Sequence, residues 1–240
     1  MVRGLRLRSA LVATGVVLSV VVPVSIVSPV SAAGRAVIVP PSVVQSLWRS
    51  PDAMTKDAQP RHDVLRDRAV EAVAAFDEYM ATRSPIDSSR YLRALASVVG
   101  IVAARTSVPR SDMLAAWRNA SLRHQQAILV GLTTLGTGYL FGSDNPKKGL
   151  DCSGLVAYAW SAAGVTLPMK SDRQVEMGRI VPRERAKAGD IVGYPGHTMI
   201  YLGIGDIVLH SARPNLGVRV GEINWKEATN VRFSNPEPGM

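Results

Sequence analysis

Residues 149–164, GLDCSGLVAYAWSAAG, contain the only cysteine of this 240-residue chain. A glycine loop precedes Cys152, and apolar residues follow it with the spacing of one helical face as far as Gly164, a residue type favoured just past a helix end. The pattern predicts that Cys152 lies in the first turn of a buried helix. Backbone N–H groups and the helix dipole favour a thiolate there, so a lowered pKa of the thiol is also expected.

The N-terminus predicts export of the chain. Three arginines at positions 3, 6 and 8 precede the uncharged, mainly apolar run 9–22, and Val30-Ser31-Ala32 has the small-residue pattern of a signal-peptide cleavage site. Residues 1–32 are therefore predicted to be a removable signal peptide, with no membrane span left after cleavage. An uncleaved membrane anchor is the alternative, because the uncharged stretch 9–34 is long enough to span a bilayer.

The predicted secretion of the chain limits the roles that its single cysteine can have. Stabilising cysteines of exported proteins normally occur in pairs, so Cys152 is expected to be buried and inert, joined to another chain, a metal ligand, or a thiol kept for chemistry. The formal net charge of the chain is +9, and losing three arginines with the signal leaves 9 − 3 = +6. A basic exported protein is attracted to anionic surfaces such as a bacterial wall. Nucleic acid is not expected as a partner, because the basic residues are scattered and match no binding motif.

The rest of the chain divides by composition. The proline-containing stretch 33–61 predicts an extended linker, and residues 62–130 predict a small module of three helices, the third running unbroken from about 111 to 131. After Gly136, glycines and β-patterned runs become frequent. An α+β domain is therefore predicted over residues 131–240.

The four histidines are expected to differ in role. His62 and His124 lie among polar residues of helical segments and are predicted to be solvated. His197 and His210 lie in two strand-like runs around Ile204-Gly205, and a hairpin with that two-residue turn would place Leu202 opposite Ile207. Side-chain alternation then puts both histidines on one sheet face. A helix-terminal cysteine with two such histidines is typical of an activated nucleophile.

An ordered set of segments resembles the NlpC/p60 family of cell-wall cysteine peptidases. In chain order the segments are GTGYLFG at 136–142, DCSGLVAYAW at 151–160, GVTLPMKSDRQ at 164–174, KAGDIVGY at 187–194, HTMIYLG at 197–203 and IVLHSA at 207–212. The resemblance implies a circularly permuted papain-like domain, in which the nucleophile helix packs on an antiparallel sheet. It implies hydrolysis of peptidoglycan stem peptides by a secreted, wall-associated enzyme, at the γ-D-glutamyl bond to meso-diaminopimelate or lysine.

The same resemblance implies the roles of individual residues. Cys152 corresponds to the nucleophile, His197 to the general base and acid, and His210 to the polar group that orients His197. Tyr139, Asp151 and Ser153 fall at positions that contact the substrate, although packing, helix capping and first-turn hydrogen bonding are equally open for these three. No cofactor or metal is implied.

Three other interpretations remain at this stage. Cys152, His197 and His210 could be three ligands of a zinc site with an open position. The domain could bind the wall without cleaving it, or it could hydrolyse a different amide or a thioester.

Overall fold

The structure is a computed structural model, and it describes residues 63–226 and 228–237. The predicted signal peptide, the predicted linker 33–61 and His62 lie outside these residues. Within the described part of the chain, no helix is both long enough and apolar enough to span a membrane.

Four helices come first, and polar side chains cap the start of the first, second and fourth. They are α1 (Val64–Thr82), α2 (Pro85–Thr106), α3 (Arg110–Arg118) and α4 (Leu122–Leu132). The Asp63 carboxylate accepts hydrogen bonds from the first N–H groups of α1, and the Ser84 hydroxyl does the same for α2. Both helices end at a residue with left-handed backbone geometry, Arg83 and Ser107.

The prediction of one unbroken third helix is wrong, because this segment forms two helices, α3 and α4. The chain leaves helical geometry between Arg118 and Leu122, and the Ser121 hydroxyl accepts a hydrogen bond from the N–H of His124 as the cap of α4. Serine and asparagine at 119–121 compete with the backbone for hydrogen bonds, which favours a break at this point. The break lets Trp117 donate its indole N–H to the carbonyl of Leu202 at 2.9 Å, and so ties α3 to the sheet.

The remaining elements form the predicted α+β arrangement. They are α5 (Cys152–Ala162), α6 (Ser171–Met177), β1 (Arg179–Val181), β2 (Ile191–Tyr194), β3 (His197–Tyr201), β4 (Ile207–Ser211), β5 (Val218–Glu222) and β6 (Arg232–Asn235), with a short 3₁₀ turn at Arg183–Arg185. The strands make one antiparallel sheet in the order β1-β6-β2-β3-β4-β5. The α+β class and the packing of the Cys152 helix on an antiparallel sheet are confirmed.

The hairpin register agrees with the prediction. Ile200 pairs with Leu209 and Tyr201 with Val208, and the N–H of Leu202 donates to the carbonyl of Ile207 at 2.9 Å. This is the register set by a turn centred on Ile204-Gly205.

The sheet is covered by apolar side chains on both faces. On one face, Leu155 and Trp160 of α5 share a large core with Ile200, Leu209 and residues of α1 to α4. On the other face, Met199, Tyr201 and Val208 belong to a second, smaller cluster. The large core is continuous from α1 to β5, and the division into a helical module (62–130) and a catalytic domain (131–240) stays a prediction.

His124 is not solvated, which corrects the prediction. Its side chain is 1% exposed and lies edge-on to Trp160, with ring centroids 4.9 Å apart. Its Nε2 lies 2.9 Å from Oδ1 of Asp190, and its Nδ1 lies 2.8 Å from the Ser121 hydroxyl. The polar neighbours of His124 in the sequence gave no sign of this burial, because its partner Asp190 is 66 residues away.

Candidate active site

Cys152 is the first residue of α5, and the residue before it caps the helix. The Asp151 carboxylate accepts hydrogen bonds from the N–H of Gly154 at 2.6 Å and from the Ser153 hydroxyl at 2.9 Å. Its second oxygen accepts the N–H of Gly142 at 2.6 Å. One buried carboxylate thus fixes the first turn of α5 and joins it to the preceding loop.

Gly154 permits a close approach of that loop to the helix. A Cβ at this position would lie 2.0 Å from the carbonyl oxygen of Ser143, a distance that no side chain could tolerate. The N–H of Asp151 also donates to the same carbonyl at 3.1 Å. Position 154 therefore requires glycine for a steric reason, because loop 138–143 contacts the first turn of α5 at this residue.

The two histidines lie side by side on the sheet. His197 opens β3 and His210 lies in β4, and His197 Nε2 is 3.2 Å from His210 Nδ1. The prediction that both imidazoles share one face is confirmed by this contact and by the hairpin register. Burial lowers the pKa of His197 to about 4. Burial, the charge of His197 and the charge of Arg219 lower the pKa of His210 to about 4 as well.

The residue that follows each histidine connects its strand to the nucleophile turn. The backbone N–H of Thr198 acts on the Cys152 thiol and lowers its pKa. The hydroxyl of Ser211 donates to the carbonyl of Leu150, two residues before the cysteine, at 2.6 Å. Both Thr198 and Ser211 are fully buried. These two interactions place the start of α5 beside β3 and β4, the strands that carry the histidines.

The pKa of the Cys152 thiol is raised, not lowered, which corrects the prediction from the helix terminus. Burial is the largest cause, and the charge of Asp151 adds to it. Hydrogen bonds from the N–H groups of Thr198, Ser153 and Cys152 itself act in the opposite direction but do not outweigh burial. The side chain is only 9% exposed. Near neutral pH, the Cys152 thiol and the His197 imidazole are therefore both uncharged.

A sequence model of the NlpC/P60 family matches residues 136–232, which include Cys152, His197 and His210. These residues form an NlpC/P60 domain.

Several curated proteins are similar to this chain over the same region. Peptidoglycan endopeptidase RipA of Mycobacterium tuberculosis is 33% identical over 106 residues, which is 38% of this chain and 22% of RipA. Gamma-DL-glutamyl hydrolase of Bacillus subtilis is 36% identical over 112 residues, 42% of this chain and 27% of that protein. Peptidoglycan endopeptidase RipB of M. tuberculosis is 34% identical over 149 residues, 53% of this chain and 61% of RipB. The chain thus spans less than two thirds of each of these relatives.

Among solved structures, the peptidoglycan hydrolase RipB of M. tuberculosis aligns with 78% of this chain and 96% of the RipB chain. Its sequence identity is 21% and its TM-score is 0.44.

The three predicted substrate-contacting residues lie around the nucleophile turn of the NlpC/P60 domain. Tyr139 is partly buried, and burial and the charges of Cys152 and Asp151 raise the pKa of its phenol, which places it near the thiol. Asp151 and Ser153 are buried and hydrogen-bonded within the protein. Their roles as substrate contacts stay predictions, whereas their roles in capping and holding the turn are visible.

Sequence reasoning missed the residues that position this turn from elsewhere in the domain. Besides Thr198 and Ser211, the fully buried Gln174 of α6 donates its amide to the carbonyls of Ser153 at 2.8 Å and Pro168 at 2.9 Å. A single glutamine in a polar segment carries no pattern that would have predicted its burial. In the described residues, no group of three or more His, Cys, Asp or Glu side chains is arranged to hold a metal ion.

Proposed function

We propose that this protein is a cysteine peptidase that hydrolyses the stem peptides of peptidoglycan. One observation carries the proposal: Cys152 opens a helix that packs on β3 and β4, the strands that bear the hydrogen-bonded pair His197 and His210. Ser211 of β4 also bonds the carbonyl of Leu150, just before this helix. The names of the similar proteins RipA, RipB and gamma-DL-glutamyl hydrolase support the substrate class.

The neutral resting state determines how the nucleophile is activated. Since the thiol has a raised pKa and His197 a lowered one, the proton leaves sulfur during attack. We assign the tautomers so that His197 Nε2 donates a hydrogen bond to His210 Nδ1, 3.2 Å away, which leaves His197 Nδ1 to accept the proton from the thiol. As the Cys152 sulfur bonds to the scissile carbonyl carbon, the His197 imidazolium that forms is stabilised by His210.

The remaining steps return every proton. The carbonyl oxygen becomes an oxyanion, for which the backbone N–H of Cys152 at the helix start is a donor. His197 then gives its proton to the leaving amine as the carbon–nitrogen bond breaks, which leaves a thioester on Cys152. Water attacks the thioester after losing a proton to His197. The carbon–sulfur bond breaks, and the thiolate takes that proton back from His197.

The proposed bond is the γ-D-glutamyl bond to meso-diaminopimelate or lysine, and the proposed place of action is the wall outside the cell. The relative named for γ-glutamyl hydrolysis supports the bond. The basic, apolar and small-residue segments of the first 32 residues support export.

Mass spectrometry of purified muropeptides after incubation with the protein tests this function. We expect products cut on the carboxyl side of γ-D-glutamate, and none with the matched Cys152→Ala variant. Retention of both proteins on insoluble peptidoglycan without any cleavage would instead identify a wall-binding module. Cleavage by the Cys152→Ala variant would exclude Cys152 as the nucleophile.

A further inference from the structure

Arg219 of β5 lies on the same face of the sheet as the two histidines of the candidate active site. It pairs directly with His210 of the neighbouring strand, and residues opposite each other in a sheet share a face. Val218 and Val220, on either side of it, pack in the large core on the other face. The Arg219 side chain is therefore turned to the side of the sheet that carries His210 and His197.

The ring of His210 lies over β5 beside Arg219. A Cβ on Gly221 would lie 2.8 Å from His210 Nε2, so the ring covers this glycine. Gly221 is two residues from Arg219, and both therefore face the same side of the strand. The charge of Arg219 also contributes to the lowered pKa of His210, which indicates that the guanidinium lies close to the ring. A permanent cation thus lies beside the histidine pair.

Arg219 has no partner of opposite charge in the part of the chain that the structure describes. Its side chain is exposed and takes part in none of the ion pairs among residues 63–226 and 228–237. The two histidines beside it are uncharged near neutral pH, since each has a pKa of about 4. The guanidinium is therefore available to an anionic group of a ligand, and a carboxylate matches its parallel N–H donors.

The position of Arg219 suits a carboxylate close to the bond under attack. β4 lies between β3 and β5, so the backbones of the strands that carry His197 and Arg219 are about 10 Å apart, which is two strand spacings. An extended peptide covers that distance in about three residues. A group bound by Arg219 would therefore belong to a residue next to the scissile bond.

Stem peptides linked through γ-D-glutamate carry a free carboxylate at this place. The γ linkage uses the side-chain carboxyl group of glutamate, so the α-carboxylate of the same residue stays free. Where the next residue is meso-diaminopimelate, its side chain carries a further carboxylate. An ordinary α-linked peptide bond between residues without acidic side chains has neither. A cation beside the histidine pair would therefore favour γ-linked substrates over α-linked ones.

We propose that Arg219 binds a free substrate carboxylate next to the scissile bond and so selects γ-linked stem peptides. The proposal rests on the proposed function, from which it takes the substrate class. Arg219 determines specificity here and takes no part in proton transfer. The carboxylate belongs either to γ-D-glutamate or to meso-diaminopimelate, and the experiment distinguishes the two.

Calorimetric titration of the full-length Cys152→Ala protein with three matched peptides tests the proposal. The parent peptide is L-Ala-γ-D-Glu-meso-diaminopimelate, and each of two analogues has one carboxamide, at the glutamyl α-carboxylate or at the side-chain carboxylate of diaminopimelate. We expect one analogue to bind at least about tenfold more weakly than the parent, the smallest loss expected when a hydrogen bond between charged groups is broken. Adding Arg219→Gln should weaken binding of the parent by the same factor and abolish the preference.

Two further variants separate recognition from general effects of charge. Arg179→Gln is the matched control, because Arg179 is also an exposed strand residue without an ion pair among the described residues, but lies on β1 at the opposite edge of the sheet. It should leave the preference unchanged. Arg219→Lys keeps the charge but loses the two-bond geometry, and should retain part of the preference.

The outcomes separate this proposal from the proposed function. If both analogues bound like the parent, if Arg219→Gln weakened all three peptides alike, or if no peptide bound, the role of Arg219 would be overturned, even if the wild-type protein hydrolyses muropeptides. A preference that depends on Arg219, in a protein that hydrolyses nothing, would support the role of Arg219 and contradict the proposed function.

Discussion

The two buried histidine sites of this protein differ in what surrounds the ring. His124 has both ring nitrogens engaged, with the Asp190 carboxylate at 2.9 Å on one side and the Ser121 hydroxyl at 2.8 Å on the other, and with Glu237 at 3.5 Å. His197 contacts another imidazole, His210, and no carboxylate oxygen lies within 4.0 Å of either ring in the described residues.

The difference supports the proposed role of His197 as the base. A ring bonded at both nitrogens to oxygen partners is fixed and links distant parts of the chain, here α4, the start of β2 and the C-terminal segment. A ring bonded at one nitrogen to a neutral imidazole keeps its second nitrogen for a proton. Without a carboxylate beside it, burial also holds the pKa of His197 low, so the ring remains a base.

Removing the base should have the largest effect. His197→Gln leaves no group that can take and return a proton, so kcat/KM on a muropeptide should fall by more than about 10³-fold while the protein stays folded. A kinetic assay measures kcat/KM, and circular dichroism shows whether the variant is folded. Residual hydrolysis within tenfold of wild type would show that His197 is not the base.

Removing the structural histidine should instead cost stability. His124→Ala leaves the buried Asp190 carboxylate without its imidazole partner, so the free energy of unfolding should fall by about 3 kcal/mol. Urea denaturation measures this loss, with Ser84→Ala, which removes a helix cap away from His124, as a control that should lose only about 1 kcal/mol. The folded fraction of His124→Ala should retain near-normal kcat/KM. A folded but inactive His124→Ala protein would show that His124 also contributes to catalysis.

His210 should tolerate replacement better than His197. It has only to accept a hydrogen bond from His197, which an amide oxygen can also do. We therefore expect His210→Asn or His210→Gln to keep measurable hydrolysis, and His210→Ala to lose roughly 10²-fold in kcat/KM. If His210→Gln were as inactive as His197→Gln while remaining folded, His210 would have to transfer protons itself.

Acid should affect activity and stability through the same two rings. Since His197 must be neutral to act as a base, kcat/KM should fall below its native pKa of about 4 and not near 6.5. Between about pH 6.5 and 4 the unfolded chain binds protons that the native rings exclude, so the free energy of unfolding should decrease as the pH falls through this window.

Comparison with His210→Gln isolates the contribution of one ring to that pH dependence. Asp77, whose pKa burial raises to about 6, acts with the opposite sign but equally in both proteins. Denaturation at several pH values should give a shallower decrease for the variant. Equal slopes would show that His210 is not held neutral in the native state.

Local patterns predicted the parts of this site that depend on local geometry. Loop length and side-chain alternation were enough to predict the hairpin register, and the glycine loop before an apolar helical run predicted the place of Cys152. The pKa of the thiol was predicted in the wrong direction, because the helix terminus is visible in the sequence whereas burial against β3 is not.

Contacts between distant segments account for the other differences. The burial of His124 depends on Asp190, and the positioning of the nucleophile turn depends on Ser211 and Gln174. The break between α3 and α4 brings Trp117 to Leu202, 85 residues away. The residue pattern within one segment cannot predict a contact with a residue so distant in the sequence.

The continuous core has a practical consequence for shortening this protein. Leu65, Phe76, Leu95 and Trp117 of the first three helices lie in the same core as Leu155 and Trp160 of α5. A fragment beginning at residue 131 would expose a contiguous apolar patch of the kind that makes proteins self-associate. A soluble minimal enzyme would therefore need either the four helices or polar substitutions across the surface that they cover.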